Sequence, residues 1–234
     1  TNTATQIQIM KALGGTPPTF AHHSLLSGPG GEKLSKRLGA LSLRDLRAQG
    51  VEPMALLSLM ARLGSSKPIE LAGSLDGLAE DFDVGTFGTA PTEFDAANLF
   101  PLTRQHVQGL PFSTVQARIA ALGVPADQAE GFWAVAKGNI TVLADLEGWW
   151  QLFRDGAEPM VDDADRDFVR QALTLLPARP WTTATWGEWT GAVKAATGRK
   201  GKNLFMPLRK ALTGRANGPE MADVLPLLQK LPVV

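Results

Sequence analysis

The 234-residue sequence contains no cysteine, which excludes disulfides and thiolate metal sites. Its three histidines, two of them adjacent at His22 and His23, are too few ligands for a structural zinc site. No apolar run approaches the ~18 residues of a membrane span, and no charged-then-apolar leader opens the chain. The Walker pattern Gly-x-x-x-x-Gly-Lys-Ser/Thr is missing. Nothing after residue 70 alternates convincingly as a half-buried strand would, and no internal repeat stands out. What remains is an ordinary globular balance, 44% hydrophobic and 20% charged, enough for a real core in one large domain or two modest ones. The lack of cysteine also fits a cytoplasmic protein.

The formal net charge is zero, but it is unevenly distributed. Residues 1–69 carry eight Lys/Arg against three Asp/Glu, and residues 70–234 carry fifteen against twenty. Inside that acidic portion, the stretch from Lys194 to Arg215 holds seven basic residues and no acid. Cations gathered at two separated places suit a protein that grips a polyanion.

The pattern along the chain is helical. Thr1 to Leu13 reads as a helix capped by Thr1 or Asn2 and stopped by Gly14-Gly15. Thr19-Phe20-Ala21 reads as a short extended piece, and the glycine-rich run from Ser27 to Gly31 as a mobile loop. Ser42 with Asp45 makes a capping-box start. Pro53 suits a first helical turn, and Leu56, Leu59, Met60 and Leu63 follow at core-face spacing. Gly64 to Pro68 breaks that helix, which places the main domain boundary there, between 1–68 and 69–234. Beyond it, Asp95, Ser113 and Asn139 are expected helix caps, the last leading into Leu143, Leu146, Trp150 and Phe153. Further helices are expected over Asp163–Leu176, around Trp186, Trp189 and Val193, over Leu204–Leu212 closed by Gly214, and over Pro219–Leu228.

One segment carries chemistry. Gly28-Pro29-Gly30-Gly31-Glu32 precedes Lys33-Leu34-Ser35-Lys36-Arg37, so a glycine stretch delivers three cations and a hydroxyl within five residues. Glycines let backbone approach a phosphate closely. Lysine offers a point charge and arginine a bidentate fork. Such a loop could stabilise the charge that builds as a triphosphate is cleaved. On cation spacing alone the segment reads as a plain basic surface loop.

The surrounding residues resemble the glutamyl-tRNA synthetase family. The resemblance rests on Thr1-Asn2-Thr3-x-x-Gln6, Ala12-Leu13-Gly14, Pro18, Phe20-Ala21-His22, the loop Lys33 to Arg37 and Gly39-Ala40. It continues from Arg44 through Gly64 and returns at Gly198-Arg199-Lys200-Gly201-Lys202, Leu204 to Arg209, Ala211 to Gly214 and Gly218-Pro219-Glu220. Residues 70–190 match mainly in helical character. Lys33 to Arg37 looks like that family's form of the class I "KMSKS" signature.

The resemblance implies a mainly α fold, with a remnant of the class I catalytic domain, its signature loop and connecting helices, then an all-helical anticodon-binding domain. It implies Lys36 and Lys33 as catalytic, and Lys33, Ser35, Lys36 and Arg37 as ATP-binding. ATP with Mg2+ would serve the full-length enzyme, none being held tightly by this chain. The implied partner is tRNA(Glu), with tRNA(Gln) open, for a monomer without a membrane. The family's His-x-Gly-His signature is absent here, so the chain alone is expected to bind tRNA without making glutamyl-adenylate. Lys194, Arg199, Lys200, Lys202 and Arg209 are the expected RNA contacts. A non-catalytic tRNA-binding module and a helical protein-interaction domain are the alternatives.

Other residues are weighed more plainly. His22 and His23 would face opposite ways on a strand, with no catalytic partner at informative spacing. Trp133, Trp149, Trp150, Trp186 and Trp189 fall in expected helices and read as core, leaving Trp181 as the exposed candidate. Asp162, Asp163, Asp165 and Asp167 lack the glycine and terminal glutamate of a calcium hand and read as helix-start acids.

Overall fold

The computed structural model describes residues 2–32 and 42–232. Two compact units divide the chain, Thr1–Leu102 and Thr103–Val234. Both are built mainly from short helices, as expected.

In the first unit, α1 (Thr3–Ala12) buries no side chain. Gly14, at φ 78, ends it, and Gly15 N donates to Met10 O at 2.9 Å. Asn2 is its N-cap residue but makes no side-chain capping bond. α2 (Leu43–Ala48) has the capping box that its sequence announces: Asp45 N donates to Ser42 Oγ and Ser42 N to Asp45 Oδ2, both at 3.1 Å. α3 (Pro53–Arg62) starts on its proline, whose missing N–H costs nothing at that position. The buried face of α3 is Ala55, Ser58 and Leu59, while Met60 is exposed. Leu56, Leu59 and Leu63 of the expected face pack on this unit's core, and Met60 alone of the four is exposed. Ser58 adds a fully buried hydroxyl, which accepts Ala72 N at 3.0 Å.

That bond also bears on the break expected near residue 68, which is a turn inside the first unit. The chain continues through α4 (Leu75–Glu80), and Asp81 takes Lys67 Nζ at 2.6 Å and pairs with Arg62. It then enters β2 (Thr92–Glu93), parallel to β1 (Leu26–Ser27), with Leu26 opposite Thr92. Phe94 N closes the register by donating to Ser27 O at 2.8 Å. Strands of two residues are too short to show alternation. Leu46, Ala55, Leu59, Phe94, Leu99 and Leu102 form the core of this unit, so residues beyond 68 supply half of it.

Asp95 caps as expected, accepting Ala97 N at 2.8 Å before α5 (Leu99–Gly109). The second unit contains α6 (Phe112–Ala121), α7 (Ala129–Ala136), α8 (Asp145–Asp155), α9 (Arg166–Thr174), α10 (Thr185–Thr197), α11 (Lys202–Thr213) and α12 (Met221–Val224). Two expected caps are displaced. Pro111, not Ser113, precedes α6, because proline at that point sets the extended entry. Asn139 lies in a 3-10 turn, and its Nδ2 donates back to Val135 O at 3.3 Å. The turn into α8 is held instead by Asp145, which accepts Thr141 N at 2.8 Å and Val142 N at 3.0 Å.

One core joins these helices. Phe132 meets Trp150 and Phe153 edge-on at 5.7 and 5.8 Å between centroids. Trp189, fully buried, donates Nε1 to Ala172 O at 2.8 Å and so pins α10 to the end of α9. Leu204, Leu208 and Leu212 seat α11 on the same core. Gly214 ends α11 with φ 62, where a Cβ would stand 2.8 Å from Glu158 O. Only glycine fits both that backbone and that contact.

Candidate nucleic-acid interface

Lys33, Ser35, Lys36 and Arg37 lie outside the described residues. The glycine segment before them is described and forms a hydrogen-bonded turn. Gly28 N donates to Glu32 O at 2.8 Å and Gly30 N to Glu32 Oε2 at 2.9 Å. The Glu32 carboxylate lies in the space that a Cβ at Gly28 would take. His22 and His23 lie outside any strand and both line one small hollow; His22 Nε2 stands 3.0 Å from Thr3 Oγ1, and His23 Nδ1 is 2.8 Å from Ser24 O.

The basic segment 194–215 forms the corner between α10 and α11. Gly198 (φ 70) and Gly201 (φ 56) make that turn in backbone regions that other residues rarely enter. The corner sorts its cations into two kinds. Lys194, Lys200 and Lys202 are exposed and join no ion pair among the described residues. Lys202 is the first residue of α11, where the helix dipole disfavours a cation. Local folding therefore gives no reason for a lysine there.

The others have work within the fold. Arg199 Nη1 pairs with Asp165 Oδ1 at 2.5 Å, and its guanidinium covers the Phe168 ring at 4.0 Å. It also stands 3.4 Å from Asn203 O, the carbonyl that Pro207, lacking an N–H, leaves without a helical partner. Lys210 Nζ meets Asp162 Oδ2 at 3.1 Å. Arg209 Nη1 donates to Pro219 O at 2.9 Å, and the Arg215 guanidinium sits 4.3 Å from the Trp149 ring centre. The acidic run stands at helix starts as expected, with Asp163 and Asp165 in the first turn of a 3-10 helix and Asp167 in that of α9. Asp162 makes no capping bond, and the four carboxylates pair one by one with Lys210, Arg166, Arg199 and Arg170.

Two concavities result. An open groove of about 780 Å³ is lined by Arg199, Lys200, Lys202 and Lys210 together with Asp162 and Asp165. A smaller one of about 220 Å³ is lined by Trp186, Phe205, Arg209, Glu220 and Met221. Phe205 is 45% exposed, although its place among the apolar residues of α11 reads as core. Its ring lies 6.3 Å from that of Trp186. Trp181, the expected exposed tryptophan, is half-buried: Nε1 donates to Pro177 O at 2.9 Å, and Arg179 covers its ring at 3.9 Å. Phe205 was missed because its neighbours Leu204, Leu208 and Leu212 define the buried stripe, and the residue just off that stripe carries no separate signal.

Comparison with known proteins decides what this corner belongs to. The family described as "Anticodon binding domain" matches residues 112–233, and "tRNA synthetases class I (E and Q), catalytic domain" matches residues 1–100. Relatives named glutamate–tRNA ligase occur in Cereibacter sphaeroides strains, at 71% identity over 99% of this chain and 72% over 98%, in each case covering 52% of the relative. Another, from Dinoroseobacter shibae, is 67% identical over the whole chain and 53% of its own length. The chain belongs to the glutamyl-tRNA synthetase family. It spans about half the length of the curated relatives it matches. The crystal structure of the glutamate-tRNA synthetase from Elizabethkingia anophelis shares its fold, with TM-score 0.76 and 22% identity over 97% of this chain and 52% of that one. In this synthetase chain the basic corner lies within the anticodon-binding match, and the glycine turn lies within the catalytic-domain match. No helix among the described residues is long and apolar enough to cross a membrane.

Proposed function

We propose that this chain serves a glutamate–tRNA ligase as the part that holds tRNA(Glu), acting as a cytoplasmic monomer. The observation that carries this is the α10–α11 corner. Lys200 and Lys202 join no ion pair among the described residues, in places where the fold does not require them, and the Phe205–Arg209 hollow lies on the same helix. Lysines of this kind grip phosphates and set the register of an RNA without reading its sequence. An exposed aromatic ring beside a guanidinium and the Glu220 carboxylate offers what an unstacked loop base needs: a face to stack on and partners for its edge. Lys194, Lys200 and Lys202 are assigned to phosphates, and Arg209 with Phe205 to a base. Arg199 contributes charge from a fixed position.

The activity of the whole enzyme is the ligation of glutamate to tRNA. ATP with Mg2+ would supply the adenylyl group that activates glutamate. Three cations and a hydroxyl within five residues fit a triphosphate. Lys36 and Lys33 would neutralise its phosphates, Arg37 would add a fork, and Ser35 a hydroxyl.

The test is equilibrium binding of a tRNA(Glu) transcript beside one with a replaced anticodon. Weaker binding of the replaced form, with that preference lost in Phe205→Ala and Arg209→Ala, supports the assignment. Equal binding of both transcripts overturns base reading by this chain. The same assay with tRNA(Gln) establishes whether that tRNA is also taken.

A further inference from the structure

The 780 Å³ groove holds four cations and two carboxylates, which is an odd lining for a phosphate grip. Asp165 is held by Arg199 at 2.5 Å and Asp162 by Lys210 at 3.1 Å. The carboxylates come from the segment just before α9, while the cations flank and form α11. They are 34 and 48 residues apart in sequence, so local helix formation does not explain either pair. Two cations of the groove are paired, and two, Lys200 and Lys202, join no ion pair among the described residues.

We propose that Asp162 and Asp165 are resident competitors for RNA phosphate in this groove. They occupy Lys210 and Arg199 until a phosphodiester enters, and RNA binding there is an exchange of ion pairs. This rests on the phosphate-grip reading above and adds a control on its strength. The physical argument has two parts. A phosphate that takes over Lys210 or Arg199 leaves a carboxylate facing the RNA, which opposes binding by simple repulsion. RNA also releases condensed counterions when it meets a cation, but a freed carboxylate recaptures one, so the net release is smaller. The carboxylates therefore lower both the affinity and its salt dependence. Such a device lets the corner release RNA readily while keeping its cations ordered.

The experiment is binding of the tRNA(Glu) transcript to the full chain by fluorescence anisotropy across a monovalent salt series. Asp165→Asn and Asp162→Asn are each expected to tighten binding by about two- to five-fold, the range of a partly exposed ion pair. Each should steepen the plot of log K against log salt by up to ~1. Asp167→Asn is the control. It removes the same charge from the same segment, but its exposed carboxylate pairs with Arg170 and does not line the groove, so binding should stay within a factor of about 1.5 of the parent. Asp162 is 68% exposed, so its variant reports even if Asp165→Asn disturbs folding. Unchanged or weaker binding in Asp162→Asn, or equal effects in all three variants, overturns the proposal. Lys200→Ala separates the two levels. If it leaves binding unchanged, the phosphate-grip reading itself fails. If it weakens binding while the aspartate variants behave like the control, only the competitor role fails.

Discussion

Replacing Lys200 and Lys202 together by alanine should weaken tRNA binding strongly while leaving the fold intact. Both side chains are exposed and unpaired among the described residues, so their removal costs no buried contact. Lys202→Ala even removes a cation from a helix start, where the dipole disfavours it. Each phosphate contact contributes a slope of about −0.7 to −0.9 in log K against log salt. Losing two contacts should therefore flatten the slope by about 1.4 to 1.8. If that dependence carries the whole contact energy down from a 1 M reference, binding in ~0.1 M salt falls by roughly 25- to 60-fold. The assay is anisotropy with a labelled tRNA(Glu) transcript over a salt series, with thermal unfolding as the control for folding. A double variant that binds as tightly as the parent, or loses affinity with an unchanged slope, would refute the reasoning.

Other substitutions probe the framework. Arg199→Ala should lower unfolding stability by about 1–2 kcal/mol, since it removes a partly exposed ion pair and the cover on Phe168; thermal denaturation beside Lys200→Ala, which should be neutral, checks this. Gly214→Ala should cost about 2–3 kcal/mol, combining a left-handed backbone with a Cβ 2.8 Å from Glu158 O, as read by denaturant unfolding. Ser58→Ala removes the acceptor of Ala72 N–H in a part-buried bond and should cost about 1 kcal/mol. Hydrogen exchange should then rise first in residues 69–81. The Asp81 carboxyl is held below its ordinary pKa by hydrogen bonds from Lys67 and then Arg62. A lowered carboxylate pKa stabilises above the unfolded value, about 3.9, and that contribution fades as pH falls through the folded value. Asp81→Asn should flatten this acid limb of stability, and an unchanged limb would count against the pairing.

Much of this was legible in the sequence where the cause is local. The capping box of Ser42 and Asp45 spans three residues and appears as written. Helix-ending glycines such as Gly14, Gly123 and Gly214 adopt positive φ because their own backbone demands it. Legibility fails where a distant partner decides. Ser58 is buried on α3 where it accepts Ala72 N, fourteen residues on. Residues 69–102 belong with the first unit because Phe94, Leu99 and Leu102 complete its core. The helix starts expected at Ser113 and Asn139 differ for a local reason, since Pro111 and Asp145 hold those entries.

The candidate site divides in the same way. The seven cations of the proposed phosphate grip are visible in the sequence, but only the fold distinguishes Lys200 and Lys202 from Arg199 and Lys210, whose carboxylate partners lie far off in sequence. Phe205 reads as core by composition and is exposed because it lies off the Leu204–Leu208–Leu212 stripe. The signature loop Lys33 to Arg37 was legible only through its motif, and it lies outside the described residues.

The most direct test of the central claim is competition between the two ends of the RNA. A labelled tRNA(Glu) bound to this chain is challenged with an isolated anticodon stem-loop or with an acceptor-arm minihelix. Displacement by the stem-loop at concentrations where the minihelix has no effect is the predicted result, together with loss of that displacement in Phe205→Ala. Displacement by the minihelix alone would contradict the account, because the basic corner would then hold a different part of the tRNA.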